Sequence, residues 1–252
     1  MVLHILVCIK QIQNISMEEN CYSNMNPNDL DALECALQLK EQGENITVTA
    51  ITMGNLKSEE ILKEALTLGA DNGIRISDSC YRGSDTLATA TVLATAIEKL
   101  KPVPLLVLCG GRTRDGETGQ VGAELSQFLK YSYAGYVTEV EKLTEEYCLC
   151  KRQLDTGTAE ISLSMPVVLS IEEGSYPIRD KTFWGLQKAR RCKIETWNNE
   201  FLQVPNDRCG LTGSATQVVS LEKITREKAD SNIYVFEKGT AEMVLQQVLL
   251  MR

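Results

Sequence analysis

The sequence predicts an α/β fold in which helices cover both faces of a doubly wound, mostly parallel sheet. Two observations lead to this prediction. Short apolar runs rich in β-branched residues, typical of buried parallel strands, recur along the first half of the chain. Between them lie stretches in which apolar residues repeat with helical spacing, so strands and helices alternate in right-handed units. The four predicted strands are Val2–Ile9, Ile46–Met53, Gly73–Ile76 and Leu105–Cys109.

Capping and stop signals place a helix after each of the first three strands. Short polar side chains precede each apolar repeat, and glycine or proline follows it, as is usual at helix ends. The predicted starts and stops are Asn28 or Asp29 to Gly43, Ser58–Glu60 to Gly69, and Leu87 to Pro102.

The pattern changes after Tyr131. Segments that alternate polar and apolar residues are separated by turns, which predicts antiparallel strands added to the sheet or covering its edge. The next run, Pro166–Ile171, is apolar on both faces and is predicted to return to the main sheet. The alternating segments are Tyr136–Val140, Tyr147–Leu154 and Thr158–Leu163.

The remainder of the chain has weak periodicity. From Glu172 to about Asp230 no regular pattern lasts, and an arm of this length without its own core is expected to pack on another subunit. Ala241–Met251 is predicted to be a C-terminal helix. The expected division is therefore residues 1–171 as the α/β domain and 172–252 as the extended C-terminal arm with its helix.

Composition narrows the class of protein. The 252 residues carry a net charge of −8 with one local basic cluster, Lys188–Lys193, which disfavours nucleic-acid binding. No apolar run approaches the roughly 20 residues of a membrane span, and Met1–Lys10 is too short for a signal peptide. We therefore expect a cytoplasmic protein without a membrane span.

Cysteine and histidine usage argues against catalysis by side chains. The nine cysteines include no CxxC pair, and several lie inside apolar patterns, so they are expected to be reduced core residues rather than metal ligands. The single histidine, His4, lies within the first strand and is expected to pack there. Ser-His-Asp and Cys-His catalysis therefore lack the residues they need, and we assign no catalytic residue and no metal.

A glycine-rich stretch, Leu105–Leu125, contains the fourth strand, the start of a helix and the loop that joins them. Glycines recur at Gly116, Gly119 and Gly122, which lets backbone N–H groups approach a ligand at the start of the helix, where anions such as phosphate are favoured. The loop has neither the Walker sequence nor the GxGxxG spacing. A ligand-free glycine-rich connection is an equally common explanation of this pattern.

Six short motifs, in order and at similar spacing, resemble those of the electron transfer flavoprotein β subunit, and the resemblance covers nearly the whole chain. The basic residue after the fourth strand, Arg112, lies one position later than in that family. The motifs are Val7–Gln11, Asn26–Asp29 with the helix start that follows, Ile51–Gly54, Asp78, Asp85–Thr89 and Asp115–Gly122.

The resemblance implies a heterodimer with an α subunit that holds one FAD, and an adenine nucleotide bound by this chain. In electron-bifurcating members that nucleotide is a second FAD, which takes hydride from NADH and sends electrons to ferredoxin or flavodoxin and, through the α flavin, to a dehydrogenase of acyl-CoA or other type. The sequence of Asp115–Gly122 is more similar to this type, so we expect FAD.

Two alternatives remain. In the first, AMP occupies this site as a structural nucleotide, in a non-bifurcating electron transfer flavoprotein that passes electrons from dehydrogenases to a quinone reductase. In the second, the chain is an ATP-binding module of the universal-stress type, which the Asn26–Asp29 motif and the long arm disfavour. If the chain is an electron transfer flavoprotein subunit, it is redox-active only together with its FAD-binding partner.

The same resemblance assigns the nucleotide contacts to four places at the strand ends, and a role as core residues is the alternative for Cys8 and Met53. The candidates are Cys8, Asn26, Pro27, Asn28, Asp29, Met53, Gly110, Thr113, Arg114, Asp115, Gly116, Glu117, Thr118, Gly119, Gln120 and Val121.

Similar β subunits dock partner dehydrogenases through an exposed loop with one apolar anchor, followed by a basic helix start. Phe183 or Trp184, before Leu186–Lys193, matches that position. An exposed aromatic residue suits an interface of this kind. The alternative is that both rings pack against the α subunit.

Overall fold

The computed structural model describes residues 3–12 and 24–220. Residues 1–217 form one compact unit, and of the second unit, 218–252, the structure describes three exposed residues. The predicted helix Ala241–Met251 lies outside the described residues. The strands are β1 (Leu3–Cys8), β2 (Ile46–Met53), β3 (Asn72–Ile76), β4 (Leu106–Gly110), β5 (Ser132–Leu143), β6 (Tyr147–Leu154), β7 (Gly157–Ser164), β8 (Val167–Ile171) and β9 (Glu195–Trp197).

Helices connect these strands in the order that the periodicity predicts for the first half of the chain. Each of the first four strands is followed by one helix of 9 to 16 residues, and beyond β8 lie one helix of 9 residues and two of 4 residues. The helices are α1 (Pro27–Gln42), α2 (Glu59–Leu68), α3 (Thr86–Lys99), α4 (Val121–Leu129), α5 (Phe183–Arg191), α6 (Asn199–Leu202) and α7 (Gly210–Gly213).

All nine strands belong to one sheet, in the order β7-β6-β5-β8-β4-β1-β2-β3-β9. The six strands from β8 to β9 pair in parallel, whereas β6 and β7 are antiparallel additions beyond β5. The predicted α/β class with a mostly parallel sheet and added antiparallel strands is therefore confirmed.

Two apolar cores lie on opposite faces of the sheet. The first contains the buried side chains of α1 and α2, such as Leu33 and Leu62, together with Ile5 of β1. The second contains those of α3 and α4, such as Ile97 and Leu125. Because helices cover both faces, the central strands are buried on both sides, which explains their continuous apolar sequences.

β5 is longer and less regular than the alternating pattern predicted. It pairs in parallel with β8 at its start and antiparallel with β6 further on, with register shifts in both ladders. Tyr136 lies at one of these shifts with φ of 58°, a left-handed conformation that interrupts regular alternation.

Residues 172–217 pack along their own domain. β9 extends the sheet beside β3, and α5 lies against α2. The Arg179 guanidinium pairs with the buried Glu34 carboxylate of α1 at 2.8 Å, and Asp31 accepts the N–H of Tyr176 at 2.9 Å. The additional packing of residues 172–252 on a partner subunit stays a prediction.

Candidate functional site

The candidate site lies where the strand order reverses. From β1 the chain proceeds to β2 on one side, whereas β4 pairs with the other side of β1. The connections that leave β1 and β4 pass to opposite faces of the sheet. The carboxyl ends of these two strands therefore flank a crevice of the kind in which α/β sheets usually bind ligands. The start of α1 and the loop 111–120 meet here, so Asn26–Asp29 and the glycine-rich connection are adjacent.

Asp29 holds this junction together. Its carboxylate is buried and accepts the Lys10 N–H at 2.7 Å and the Asn26 side-chain N–H at 3.0 Å. Burial raises the pKa of Asp29 to about 7, although the hydrogen bonds from Asn26, Lys10 and Gly110 oppose the shift. The site therefore contains a carboxyl group that titrates near neutral pH.

Asn26 connects the same junction to the loop. Its amide nitrogen also donates to the Arg112 carbonyl at 2.9 Å, and its amide oxygen accepts the Arg114 N–H at 3.2 Å. Both ends of the buried side chain are therefore used in fixing the path of the loop after β4. This gives the first residue of the Asn26–Asp29 motif a structural role that does not require a ligand.

Asn28 is different because one of its polar atoms has no partner. Its amide nitrogen donates to Glu173 at 2.9 Å, but its amide oxygen is buried and accepts no hydrogen bond. Exchanging the two amide atoms would place the oxygen against the Glu173 carboxylate, so the assigned orientation is favoured. A buried oxygen without a donor is costly and indicates a place for a ligand or water.

Asn28 is one of the residues that line a pocket of about 340 Å³ at the reversal of strand order, which we call the switch-point pocket. Arg114 pairs with Glu173 at 3.1 Å, whereas Arg112, within the described ranges, has no ion pair. The pocket therefore offers one uncommitted cation, Arg112, beside one carboxylate, Glu117, that makes no ion pair within the described residues either. Its lining residues are Asn28, Arg112, Thr113, Arg114, Glu117 and Glu173.

The loop from Thr113 to Gln120 is largely exposed. It is shaped by a hydrogen bond from the Glu117 N–H to the Thr113 carbonyl at 2.8 Å and by an ion pair between Lys10 and Asp115 at 2.8 Å. The carboxylate of Asp115 therefore faces a lysine of the chain itself. Gly116 and Thr118, between these contacts, are exposed.

The glycines of this connection differ in what surrounds them. A Cβ at Gly110 would lie 2.7 Å from the Asn28 Cβ, and a Cβ at Gly111 would lie 3.0 Å from the Ile171 carbonyl. Gly119 has φ of 62° and similarly close contact with the backbone. Only Gly116 has ordinary space around it, with Thr113 Oγ1 at 3.4 Å.

The other predicted contacts lie at the edges of this region. Cys8 and Met53 end β1 and β2, where both are half-buried and pack on the second core. Pro27 is the first residue of α1. Val121 is the first residue of α4, and the amide oxygen of Gln120, which precedes it, accepts the Thr86 hydroxyl at 3.2 Å. The structure thus brings the candidates to one edge of the sheet.

Phe183 and Trp184 lie apart from this edge, on α5. They are 66% and 79% exposed, and their rings contact edge to face with centroids 5.7 Å apart. The Thr182 hydroxyl caps the helix by accepting the Gly185 N–H at 3.0 Å. The helix start therefore presents two aromatic side chains that the described part of the chain leaves largely uncovered.

Sequence reasoning omitted Lys10, Arg112 and Glu173 from the candidate contacts. Glu173 follows β8, whose place beside β4 puts it at the same sheet edge, so assigning that strand order from the sequence would have indicated it. In the described part of the chain, no helix has the length and apolar character to cross a membrane, and no cluster of side chains is arranged to hold a metal ion.

Comparison with known proteins gives a consistent result. Residues 15–202 match a family described as electron transfer flavoprotein domain. The chain is 34% identical to subunit CarD of the caffeyl-CoA reductase-Etf complex of Acetobacterium woodii, over 86% of both chains. It is 34% identical to FixA of Sinorhizobium fredii, over 98% of this chain and 92% of the relative. It is also 34% identical to electron transfer flavoprotein subunit beta of Thermoanaerobacterium thermosaccharolyticum, over 90% of each.

Proposed function

This chain belongs to the electron transfer flavoprotein β-subunit family, and we propose that, together with an α subunit, it performs flavin-based electron bifurcation. In this proposal electrons from NADH pass to ferredoxin or flavodoxin and, through the α flavin, to a partner dehydrogenase. The nucleotide bound by this chain is FAD. The protein acts in the cytoplasm, and its residues 172–252 contribute to packing on the α subunit.

One observation carries the assignment of a nucleotide to the switch-point pocket. Asn28, whose buried amide oxygen accepts no hydrogen bond, and Arg112, which makes no ion pair within the described residues, both line this cavity. A nucleotide has both hydroxyl donors and phosphate oxygens, so it can satisfy both groups. The sequence Asp115–Gly122, which is more similar to the bifurcating type, supports FAD as that nucleotide.

The residues of this chain bind and position the nucleotide, and none of them needs to act as an acid or a base. Arg112 would neutralise a phosphate, the exposed backbone of Gly116 would allow close approach, and Asn28 would accept a ribose or ring N–H or O–H group. Asn26 and Asp29 hold the loop in place. When bound, FAD supplies the redox chemistry, which is exchange of hydride with NADH and of single electrons with other centres.

AMP in a structural role is the second candidate, and the size of the cavity favours it. Ligand pockets range from about 300 to about 1,000 Å³. At about 340 Å³ the switch-point pocket is at the lower end, which suits a mononucleotide better than a dinucleotide. In that case the chain belongs to a non-bifurcating complex that delivers electrons from dehydrogenases to a quinone reductase.

Counting cofactors in the purified complex with its α subunit separates the two candidates. Two FAD per heterodimer, one of them bleached by NADH, supports bifurcation, whereas one FAD and one AMP contradicts it. Arg112→Ala should lower nucleotide occupancy in either case. Arg82→Ala, which removes an exposed cation from the turn before α3, is the matched control and should leave occupancy unchanged.

Gly119→Val, the obvious substitution for blocking a phosphate loop, is a poor test here. The positive φ of Gly119 and the Gly111 carbonyl 3.0 Å from an added Cβ mean that a β-branched residue strains the backbone whether or not a ligand binds. Loss of nucleotide in that variant would not locate the ligand. Arg112→Ala avoids this difficulty because its side chain is exposed and makes no described ion pair.

Phe183 and Trp184 are proposed to dock the partner dehydrogenase. Their exposure supports this role, because burying two large aromatic rings at an interface contributes strongly to binding. Contact with the α subunit is the alternative occupant of the same surface, and heterodimer stability in the corresponding variants distinguishes the two.

A further inference from the structure

The segment that comes after β8 lies along α1 and begins at the switch-point pocket. Its first residue, Glu173, lines that pocket, and its last residue, Arg179, pairs with Glu34 in the middle of α1. We call residues 173–179 the α1 strap. The strap therefore connects one wall of the pocket to the body of the helix whose first turn carries Asn28.

Asp31 of α1 holds the first part of the strap. Its buried carboxylate accepts the Gly174 N–H at 3.1 Å and the Tyr176 N–H at 2.9 Å. Both donors are backbone groups, so these bonds fix the path of the chain directly after Glu173 rather than the position of one side chain. Hydrogen bonds to an ionised acceptor are roughly twice as strong as neutral ones, so Asp31 is a firm anchor.

The far end of the strap is held by charge. The Arg179 guanidinium pairs with the buried Glu34 carboxylate at 2.8 Å and with Glu41 at 2.6 Å. Asp31 and Glu34 are three residues apart and Glu41 lies seven further on, a spacing that places all three carboxylates on one face of α1. The strap is therefore fixed to the same helix near both of its ends.

Glu173 holds two of the side chains that line the pocket. Its carboxylate accepts the Asn28 amide N–H at 2.9 Å and pairs with Arg114 at 3.1 Å. The first contact orients the Asn28 amide so that its oxygen is the atom without a donor. The second contact engages one of the two arginines of the lining. Glu173 therefore determines which polar groups a ligand meets in the pocket.

We propose that Asp31 is a positioning residue for the nucleotide: by holding the α1 strap, it keeps Glu173 against the side chains that the nucleotide contacts. Asp31 itself does not belong to the described lining of the pocket, so its effect passes through the strap. The inference rests on the proposed function, because it needs a nucleotide in the pocket, but it holds for FAD and AMP alike.

Stability alone does not account for a carboxylate at this position. Burying a charged group costs free energy that its hydrogen bonds only offset, and well-packed apolar residues often stabilise a protein as much. What the carboxylate adds is direction, since the two N–H groups reach it in one arrangement of the strap. Asp31 thus selects one position of Glu173.

The test uses the full-length chain in complex with its α subunit, after bound nucleotide has been removed by gel filtration at high salt. AMP is the probe because FAD contains it, and calorimetric titration gives its Kd. Asp31→Asn leaves one strap N–H facing an amide N–H, so the strap loosens and the Kd should rise on the order of tenfold. Asp71→Asn is the matched control. That carboxylate accepts the Val48 N–H at 3.0 Å and pairs with Lys40 at the other end of α1, so its loss should change the Kd by less than about twofold.

Hydrogen exchange of single amides gives a readout that a purely structural role would not move. In the unchanged protein, AMP should slow exchange of the Gly174 and Tyr176 amides, because coupling between two sites is reciprocal. The Phe201 amide, which donates to the Asn198 side chain at 3.1 Å, should exchange at the same rate with and without AMP. In Asp31→Asn the AMP-dependent difference in the strap should disappear.

Gly174 provides a second variant that leaves α1 unchanged. Its φ of 78° is left-handed, and no described atom lies within 4 Å of a Cβ added there. Gly174→Val should therefore displace the strap by backbone strain alone and raise the Kd for AMP. Gly174→Asn should raise it less, because asparagine tolerates this conformation. The position is exposed, so the valine variant should stay folded, which circular dichroism verifies.

The outcomes separate the role of Asp31 from the nucleotide site itself. An unchanged Kd in both Asp31→Asn and Gly174→Val overturns the proposal and leaves the proposed function intact, as does exchange of the Gly174 and Tyr176 amides that ignores AMP. An equal rise of the Kd in Asp71→Asn assigns the effect to lost stability and also overturns it. Failure of the unchanged complex to bind AMP contradicts the proposed nucleotide site, and this inference with it.

Discussion

Replacing Gly110 by alanine tests the packing that places the candidate site. Gly110 ends β4 where the first turn of α1 crosses it. An added Cβ would lie 2.7 Å from the Asn28 Cβ and 2.8 Å from its carbonyl carbon, and it would overlap the Asp29 carboxylate. The Asn28 atoms are backbone or next to it, and Asp29 is held by the Lys10 N–H and the Asn26 amide, so neither side can yield without moving α1.

The expected loss of stability follows from two costs. Overfilling a packed interior costs about 1–3 kcal/mol. Displacing Asp29 from its donors leaves buried polar groups unsatisfied, which costs about 1–3 kcal/mol more. We therefore expect Gly110→Ala to lower the free energy of unfolding by about 3 kcal/mol, a large part of the stability of a typical domain. Nucleotide occupancy should fall as well, because α1 carries Asn28.

Urea unfolding followed by circular dichroism measures this change. With an m value of about 1–3 kcal/mol per molar urea, the midpoint should fall by about 1 M or more. Gly116→Ala is the matched control, because its Cβ has only the Thr113 hydroxyl at 3.4 Å and its stability should change by less than about 0.5 kcal/mol. A Gly110→Ala protein as stable as the control would refute the close approach of α1 to β4.

Three further predictions concern charge and exposure. Between pH 4 and 7 the folded chain retains the Asp29 proton, whereas the unfolded chain releases it near pH 3.8. The free energy of unfolding should therefore fall as the pH rises through this range, by up to about 1.4 kcal/mol per pH unit. Urea titrations at several pH values should show a flatter profile for Asp29→Asn. Arg179→Ala leaves the buried Glu34 carboxylate without its ion pair and should cost about 3 kcal/mol in the same assay, and a loss below about 0.5 kcal/mol would contradict the burial. Phe183→Ala and Trp184→Ala remove exposed rings, so the melting temperature should not change while electron transfer to the partner dehydrogenase slows; loss of the heterodimer would instead assign both rings to the α subunit.

The sheet is the part of the fold that local sequence predicts best. Val2–Ile9 and Ile46–Met53 differ from the observed strands by at most two residues, because a strand buried on both faces must be apolar throughout. The three-residue strand β9 is too short to show periodicity, and its place beside β3 depends on contacts more than 100 residues away in sequence. The register shifts of β5 likewise depend on two partner strands at once.

Buried acidic residues of α1 explain why the packing of residues 172–217 is not evident from local sequence. Asp31 and Glu34 read as the polar face of an amphipathic helix, but both are buried. Asp31 accepts the N–H groups of Gly174 and Tyr176, and Glu34 accepts the Arg179 guanidinium, about 145 residues along the chain. A charged residue is buried only where it finds such partners, and local sequence does not reveal them.

The glycine-rich sequence after β4 combines two requirements that the sequence alone does not separate. Gly110 and Gly122 lack side chains because the Asp29 carboxylate and the Ser170 hydroxyl occupy the space, and Gly119 adopts a left-handed conformation. These three positions are explained by folding without any ligand. Gly116 is neither crowded nor left-handed, so the argument for a phosphate near the loop backbone rests on this one position. The stronger argument for a bound nucleotide is the unpartnered oxygen of Asn28, a residue that motif spacing placed at the site for a different reason.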